Sequence, residues 1–281
     1  ALSGIETRTR LYDSMSLPEE ISQLFSDAHT KRQSLHDKQY FVGFFVNNSC
    51  LENLLYVSHE SALSETDHSI LEFFTNNIAV AYDNIRMREI VENSQKELSY
   101  ILGEAVEKRS KETGSHVKRV ANFSYMLALY YGLAPKQADK IKLASPLHDV
   151  GKIGIPDRIL NKPGKLDDDE WQIMKTHAQL GYDILSQSQN EILQIGAIIA
   201  QQHHEKWDGS GYPGGLKGED IDIVGRITAL ADVFDALASA RCYKPPWPIS
   251  KVVAQLQADS GSHFEPKLVS ILLQHLDEFV A

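Results

Sequence analysis

Histidines on helical stripes constrain this chain more than any other feature of its sequence. Beyond Gly103, apolar residues recur at the three- and four-residue spacing of amphipathic helices, and most of these stripes include a histidine. Stripes of this kind run through His116, through Ile141, Ala144 and His148, through His203, and along a segment whose inward positions are Trp171, Met174, His177 and Gly181. The pattern predicts a helical C-terminal domain whose histidines face its interior.

Carboxylates accompany these histidines, and together they form a set of candidate metal ligands. A lone histidine on an apolar face is usually an ordinary core residue, but several on separate stripes need another explanation. Buried imidazoles need hydrogen-bond partners, and buried carboxylates are costly unless they are paired or bound to a cation. The candidates are Glu112, His116, His148, Asp149, His177, His203, His204 and Asp232. Such ligands, without cysteine, favour iron, manganese or zinc.

The adjacent residues His148 and Asp149 offer two ligands from one backbone site. An aspartate in this position can bridge two ions. Two ions about 3.5 to 4 Å apart can clamp the attacking and leaving oxygens of a phosphoryl displacement. Phosphoester hydrolysis is therefore the leading chemistry.

The N-terminal part has a different pattern, which predicts a small α/β domain over residues 1–84. A helical opening from Leu17 to His29 precedes two strand-like runs, Tyr40 to Val46 and Leu54 to Val57. Ser64 and Asp67 then form a helix-capping signal.

No proline or glycine occurs from Glu65 to Leu102, so one helix can run on into the second domain. Residues 85–104 are its predicted connecting segment, and residues 105–281 are the predicted second domain. Two helices with a break near Asn93 are the alternative. The apolar stripe of this helix suits either a homodimer or packing within one chain.

Composition narrows the class of protein further. A net charge of −10 over 281 residues argues against a DNA or RNA binder. The apolar runs are too short to cross a membrane. Cys50 and Cys242 cannot build a disulfide framework, so a reducing cytoplasm is expected. The chain opens with Ala1 rather than methionine, so we expect a fragment of a longer protein.

From about Ala105 to Phe279 the sequence resembles the HD-GYP subclass of the HD phosphohydrolase superfamily. Residues 147–156, LHDVGKIGIP, are similar to the superfamily signature, and residues 203–215, HHEKWDGSGYPGG, resemble the subclass motif. The resemblance implies a mainly α protein with a helical bundle that hydrolyses cyclic di-GMP to pGpG or GMP. It implies two or three divalent metals, most often iron or manganese, with Glu112 holding the third.

The same resemblance assigns substrate contacts. Asp149 and Lys152 take catalytic roles, with the Lys152 ammonium near the scissile phosphate, where it stabilises developing negative charge. Arg241 and Lys244 match a basic pair that grips phosphates, and Tyr212 contacts a phosphate or a base. Ser110 and Ala240 depart from the residues common in the family, and both departures lie at the substrate rim.

Residues 71–84, LEFFTNNIAVAYDN, resemble the closing helix of a GAF-like sensory module. Such modules often lie between a receiver domain and an HD-GYP domain, which implies regulation and protein signalling partners. Two alternatives to a cyclic di-GMP phosphodiesterase stay open. One is a metal-containing but poorly active cyclic dinucleotide receptor, and the other is a hydrolase of another cyclic dinucleotide.

Overall fold

Helices dominate the computed structural model, which describes residues 18–46, 52–59, 61–110, 115–239 and 246–280. Within these ranges there are eleven α-helices and one three-stranded sheet. The chain divides into two compact units between Asn93 and Ser94. None of the helices in the described ranges has the length and apolar character that a bilayer span requires.

The first unit is built around an antiparallel sheet. Helix α1 (Glu19–Lys31) is followed by β1 (Leu35–Asp37), β2 (Tyr40–Val46) and β3 (Glu52–Ser58), in the sheet order β1-β2-β3. The predicted strand Tyr40 to Val46 is confirmed with the same limits, and the predicted Leu54 to Val57 lies inside β3. Phe41 and Val42 of β2 are buried, so the central strand supplies the core of this unit.

Helix α2 extends over Glu65–Arg109 and contributes to both units. The predicted cap at its start is confirmed, because the Asp67 amide donates to Ser64 Oγ (3.2 Å) and the Ser64 amide donates to Asp67 Oδ2 (2.8 Å). In the first unit, Gly43 of β2 lies against Thr75 of α2. A Cβ at Gly43 would be 2.6 Å from Thr75 Oγ1, so glycine permits this close approach. The role of α2 as a rigid connector stays a prediction.

The second unit is helical, as expected. Its further helices are α3 (Ser115–Tyr131), α4 (Pro135–Ala144), α5 (Asp157–Leu160), α6 (Asp168–Leu185), α7 (Glu191–Gln202), α8 (Ile223–Ala238), α9 (Ile249–Ala258), α10 (Pro266–Gln274) and α11 (Leu276–Val280). The largest core cluster joins buried residues of α3, α8 and α10, including Val120, Leu127, Ile227, Phe234, Leu268 and Leu272. This core holds α3 and α8 together, and both carry predicted ligands.

Two details of the helical prediction need correction. The stripe through Ile141, Ala144 and His148 is buried as expected, but α4 ends at Ala144 and does not reach His148. The reason is Pro146, whose ring would clash with the carbonyl of residue 142 in a continued α-helix. Trp171 was expected to face inward but is 45% exposed in the first turn of α6, where its ring meets the edge of Tyr212.

Candidate metal centre

The His148–Asp149 pair lies on a turn between two short 3₁₀ helices, Ser145–Leu147 and Val150–Gly154. Gly151 allows this turn to pack against α6. A Cβ at Gly151 would lie 1.9 Å from the backbone oxygen of His177, so any other residue would push the turn and α6 apart. The tight packing brings Asp149 beside His177, and their Oδ1 and Nε2 atoms are 3.4 Å apart.

A first group of ligand atoms comes from α3, the His–Asp turn and α8. His116, His148 and Asp232 each offer one atom, and these atoms lie within 4.8 Å of one another. His116 Nε2 is 3.3 Å from Asp232 Oδ1. The rings of His116 and His148 meet edge to face with centroids 5.9 Å apart.

A second group comes from the turn, α6 and the end of α7. Asp149, His177, His203 and His204 offer one atom each, again within 4.8 Å of one another. His203 Nε2 is 3.8 Å from Asp149 Oδ1, and the ring centroids of His203 and His204 are 3.9 Å apart. Four imidazole or carboxylate ligands at this spacing suit a first-row divalent ion.

Asp149 faces both groups. Its Oδ2 lies 3.4 Å from His148 Nε2 in the first group, while its Oδ1 lies 3.4 Å from His177 Nε2 in the second. A carboxylate with one oxygen toward each group has the arrangement that a bridging ligand requires. The seven predicted ligands that lie in the described ranges therefore converge on one centre.

Hydrogen bonds at Nδ1 fix the ring orientation and the tautomer of three of the histidines. Nδ1 donates to a backbone carbonyl in His148 (Ser145 O, 2.8 Å), in His177 (Met174 O, 2.7 Å) and in His203 (Ala200 O, 3.0 Å). A carbonyl oxygen only accepts, so the proton of a neutral imidazole sits on Nδ1 and the lone pair sits on Nε2. All three rings thus direct a basic nitrogen into the centre.

His116 is held differently, by a carboxylate instead of a carbonyl. Its Nδ1 donates to Asp235 Oδ2 at 2.6 Å, and Arg119 donates to the same carboxylate from Nε at 2.5 Å. Arg119 also donates from Nη2 at 3.0 Å, and the Ser239 hydroxyl adds a fourth bond to this carboxylate, at 2.9 Å. A carboxylate behind an imidazole raises the basicity of its other nitrogen, a frequent arrangement behind metal-binding histidines.

The buried polar atoms of the centre test whether metal ions fit these residues. His148 Nε2, His177 Nε2, His203 Nε2 and Asp149 Oδ1 are buried, and nothing in the described part of the chain hydrogen-bonds to them. Buried polar atoms normally have partners, so four such atoms pointing at one space indicate an occupant of positive charge. Divalent ions fit this donor set.

The pKa values show the same preference for positive charge. Burial opposes protonation of His116, but its bonds with Asp232 and Asp235 raise its pKa to about 10. Burial also opposes ionisation of Asp232, but bonding to His116 and the nearby His148 hold its pKa below its usual range. The first group therefore stabilises a cation at His116 Nε2, which a proton or a metal ion can supply.

The second group presents mostly neutral imidazoles. Burial lowers the pKa of His177 and, with the neighbouring histidines, lowers that of His203 well below its ordinary value. Burial and the nearby His177 lower the pKa of His204 to about 3. Burial disfavours the Asp149 anion, but Lys152 and His148 outweigh it and keep the pKa well below its usual range. Neutral imidazole with anionic carboxylate is the protonation state that metal binding needs.

Lys152 lies beside Asp149 at the centre, and its catalytic role stays a prediction. Its Nζ donates to Asp149 Oδ2 at 2.5 Å, across a spacing of three residues. Arg109, at the end of α2, donates to the carbonyls of Lys152 (2.5 Å), Ile153 (2.9 Å) and Ile155 (2.7 Å). Arg109 thereby holds the backbone that carries Lys152.

Tyr212 lies beside the second group, and its contact with substrate stays a prediction. Its ring stacks on His204 with a centroid distance of 4.7 Å. Beside it is a pocket of about 320 Å³, lined by Gln172, Lys175, Thr176, Gln179, Leu180, Tyr212 and Pro213. Amide, hydroxyl and ammonium groups therefore line a space next to the ligands.

Three predicted site residues, Glu112, Arg241 and Lys244, lie outside the described residues, as does Ala240. Other site residues were not predicted: Asp235, Arg119, Arg109 and Glu107. Glu107 is buried, with Oε1 3.5 Å from His116 Nε2. A usable signal was the three-residue spacing of Asp232 and Asp235, and of His116 and Arg119, which puts each pair on one helix face.

Family models match both parts of the chain. A model described as "HD domain" matches residues 101–268, and one described as "Domain of unknown function (DUF3369)" matches residues 2–91. A GAF-like module is not shown by these matches, and that resemblance stays a prediction.

Curated relatives carry phosphodiesterase names. The 3'3'-cGAMP-specific phosphodiesterase 2 of Vibrio cholerae is 49% identical over 265 residues, which are 94% of this chain and 51% of that protein. The cyclic di-GMP phosphodiesterase response regulator RpfG of Xanthomonas campestris is 47% identical over 188 residues, 67% of this chain and 50% of that protein. The chain spans about half the length of these relatives.

A solved structure supports the fold. The crystal structure of a cyclic GMP-AMP specific phosphodiesterase of V. cholerae, V-cGAP3, superposes with a TM-score of 0.51 and 20% identity, covering 65% of this chain and 50% of that one. The HD domain model matches more than half of the residues, and the chain belongs to the HD domain family.

Proposed function

We propose that the second unit hydrolyses a phosphodiester bond of a cyclic dinucleotide at a centre of two or more divalent ions. The observation that carries the proposal is Asp149, whose two oxygens face two separate groups of metal-binding residues. When bound, such ions would supply Lewis-acid chemistry for phosphodiester hydrolysis. Iron or manganese are the preferred ions and zinc suits the same ligands.

The chain's own residues would orient the reaction. Asp149 presents one oxygen to each ligand group, and Lys152 keeps a positive charge 2.5 Å from that carboxylate. A phosphate oxygen entering beside Asp149 would come within reach of the Lys152 ammonium, which stabilises negative charge that develops during displacement. Arg109 fixes the backbone of this lysine, so the charge is in place before substrate arrives.

The substrate class follows from the pocket and from the relatives. The pocket is lined in part by Tyr212, whose ring stacks on His204, so a base could occupy the pocket while the phosphate lies at the ligands. Cyclic di-GMP was expected from the sequence, and relatives with that name support it. The relative that is 49% identical over nearly the whole chain is named for 3'3'-cGAMP, which supports that dinucleotide as the second candidate.

Other parts of the proposal rest on residues outside the described ranges. Arg241 and Lys244 are assigned to the substrate phosphates, and Glu112 is assigned to a third ion.

The first unit, which matches a domain of unknown function, is assigned a regulatory role. Hydrolysis of cyclic di-GMP would yield pGpG or GMP.

The test is hydrolysis of cyclic di-GMP and of 3'3'-cGAMP, each incubated with anaerobically purified, metal-loaded protein. We expect linear product from at least one of them, and a ratio of rates that identifies the preferred substrate. Asp149→Asn should abolish product, while Asp169→Asn, an exposed aspartate in the first turn of α6, should leave the rate unchanged. Metal-loaded protein that binds a dinucleotide without any product would refute hydrolysis and favour a receptor.

A further inference from the structure

Helix α6 carries a polar stripe beside its metal ligand His177. The stripe consists of Gln172, Lys175, Thr176 and Gln179, whose spacing of three and four residues puts them on one helix face. All four line the pocket of about 320 Å³, and Leu180, Tyr212 and Pro213 complete its lining. The ring centroids of Tyr212 and His177 are 6.4 Å apart, so the pocket lies next to the second ligand group.

Hydrogen bonds within the chain determine what the polar stripe can offer a ligand. Gln179 Oε1 accepts from Gln201 (3.0 Å), and Gln179 Nε2 donates to Asp183 Oδ1 (2.8 Å). A carboxylate only accepts, so the orientation of this amide is fixed and its second N–H is left for a ligand. Thr176 Oγ1 donates its proton to the carbonyl of Ile173 at 2.6 Å, so it can only accept from a ligand.

Lys175 supplies the positive charge of the pocket. Its side chain is partly buried, and Nζ lies 5.8 Å from the centre of the Tyr212 ring, within the range of a cation–π contact. Over the described part of the chain, no carboxylate forms an ion pair with this ammonium. Its N–H donors are therefore available to a ligand.

Guanine is the base whose edge matches these groups. Its N7 and O6 are neighbouring acceptors, and one lysine ammonium can donate to both. Adenine carries an amino group in place of O6, so its N–H donors would meet the donors of Lys175. Guanine also has an amino group on its opposite edge, and Thr176 Oγ1 is an acceptor for such a donor.

The lining suits a base better than a phosphate. Among the described residues that line the pocket, Lys175 alone is charged. Leu180, Tyr212 and Pro213 add apolar surface, against which the flat face of a base can pack. A phosphate has no apolar face, and its place in the substrate is at the metal ligands.

We propose that this pocket binds a guanine base of the substrate and that Lys175 selects guanine over adenine. The inference rests on the proposed function and specifies which cyclic dinucleotides the site accepts. Cyclic di-GMP and 3'3'-cGAMP each carry a guanine that can enter the pocket, whereas cyclic di-AMP carries none. A well-made contact of this kind discriminates between bases by about 10- to 100-fold.

Binding of three cyclic dinucleotides to the metal-loaded chain tests the selection. Phosphorothioate analogues of cyclic di-GMP, 3'3'-cGAMP and cyclic di-AMP resist hydrolysis, so equilibrium dialysis gives a dissociation constant for each. We expect the wild-type chain to bind both guanine-containing analogues about tenfold or more tightly than the cyclic di-AMP analogue. Equal affinity for all three analogues, or no binding of any, would overturn the inference.

This inference and the proposed function fail separately. Selective binding of the guanine analogues without hydrolysis of the natural dinucleotides would refute the phosphodiesterase activity and support the guanine pocket. Hydrolysis of the natural dinucleotides without selective binding of the analogues would refute the guanine pocket alone.

Substitution of Lys175 separates selection of a base from attraction of a phosphate. Lys175→Met keeps an unbranched side chain but removes the donors, so the preference for the guanine analogues over the cyclic di-AMP analogue should fall about tenfold. Lys136→Met is the control, because Lys136 is an exposed lysine of α4 that does not line the pocket, and it should keep the wild-type preference. An unchanged preference in Lys175→Met, with all three analogues weakened equally or none weakened, would overturn the inference.

Discussion

Replacing Asp235 by asparagine should weaken metal binding at one ligand group and spare the other. Asp235 accepts the Nδ1 proton of His116 at 2.6 Å, and two nitrogens of Arg119 donate to it at 2.5 and 3.0 Å. Asparagine has nearly the same shape and can still accept a hydrogen bond from His116. The variant therefore removes the negative charge behind the imidazole, and its NH2 group, which cannot accept, also loses the bonds that Arg119 Nε and the Ser239 hydroxyl donate to Oδ1.

The magnitude follows from that loss of charge. Removing a partner behind a metal-binding histidine typically costs about 10- to 100-fold in metal affinity. The corresponding free energy is about 1.4 to 2.8 kcal/mol. We expect this loss of metal affinity at the first ligand group, which comprises His116, His148 and Asp232. In the second group, His177 and His203 are oriented by backbone carbonyls, so this group should retain its affinity.

The assay is a titration of the metal-free protein with Co²⁺ in competition with a chromophoric chelator. It gives a separate dissociation constant for each bound ion. Asp222→Asn is the matched control: it is the same substitution on α8, at the exposed N-cap, where asparagine caps as well as aspartate. The control should leave both constants unchanged. Denaturation of each metal-free variant checks that the fold persists.

Two results would refute this reasoning. Unchanged constants in Asp235→Asn would mean that the charge behind His116 does not influence its affinity. An equal loss at both ions would mean that Asp235 supports the structure of the whole centre rather than one histidine.

Further predictions concern turnover, packing and pH. Lys152→Ala should lower kcat about 100- to 1,000-fold while the metal content stays normal, because its role is charge stabilisation; lost metal would contradict that role. Gly151→Ala should lower the free energy of unfolding, measured in urea, by about 1–3 kcal/mol or more, because the new Cβ would lie 1.9 Å from a backbone atom. Gly154→Ala is the control: its Cβ would meet only the end of a leucine side chain, so the loss of stability should be smaller. The pKa of His204 is about 3 in the folded metal-free chain and about 6.5 when unfolded, so the unfolded state binds the proton first. The free energy of unfolding should therefore fall as pH drops below 6.5, by up to about 1.4 kcal/mol per pH unit from this group, and His204→Asn should flatten that dependence between pH 7 and 5.

The positions of the candidate ligands were predictable from the sequence because their signal is local. Helical stripes place His116, His177 and Asp232 on inward faces, and the structure confirms that these faces converge. The strand Tyr40 to Val46 was predictable for the same reason, since its apolar run has the length of a strand and is bounded by polar segments.

Features that depend on contacts between distant segments were not predictable. The end of α4 before His148 is set by one proline inside an otherwise regular stripe. The bond between His116 and Asp235 joins residues 119 positions apart, and it exists because α3 and α8 share one core. Arg109 reaches carbonyls more than 40 positions away, and nothing near it in the sequence indicates that target.

The central claim is that Asp149 joins two metal sites, and metal content per chain tests it most directly. Anaerobically purified wild-type protein and Asp149→Asn are loaded with Mn²⁺, freed of excess ion, and analysed for manganese per chain, with Asp169→Asn as control. We predict at least two ions in the wild type and control, and a loss of at least one in Asp149→Asn. One ion per chain in the wild type, or an unchanged content in Asp149→Asn, would contradict the account.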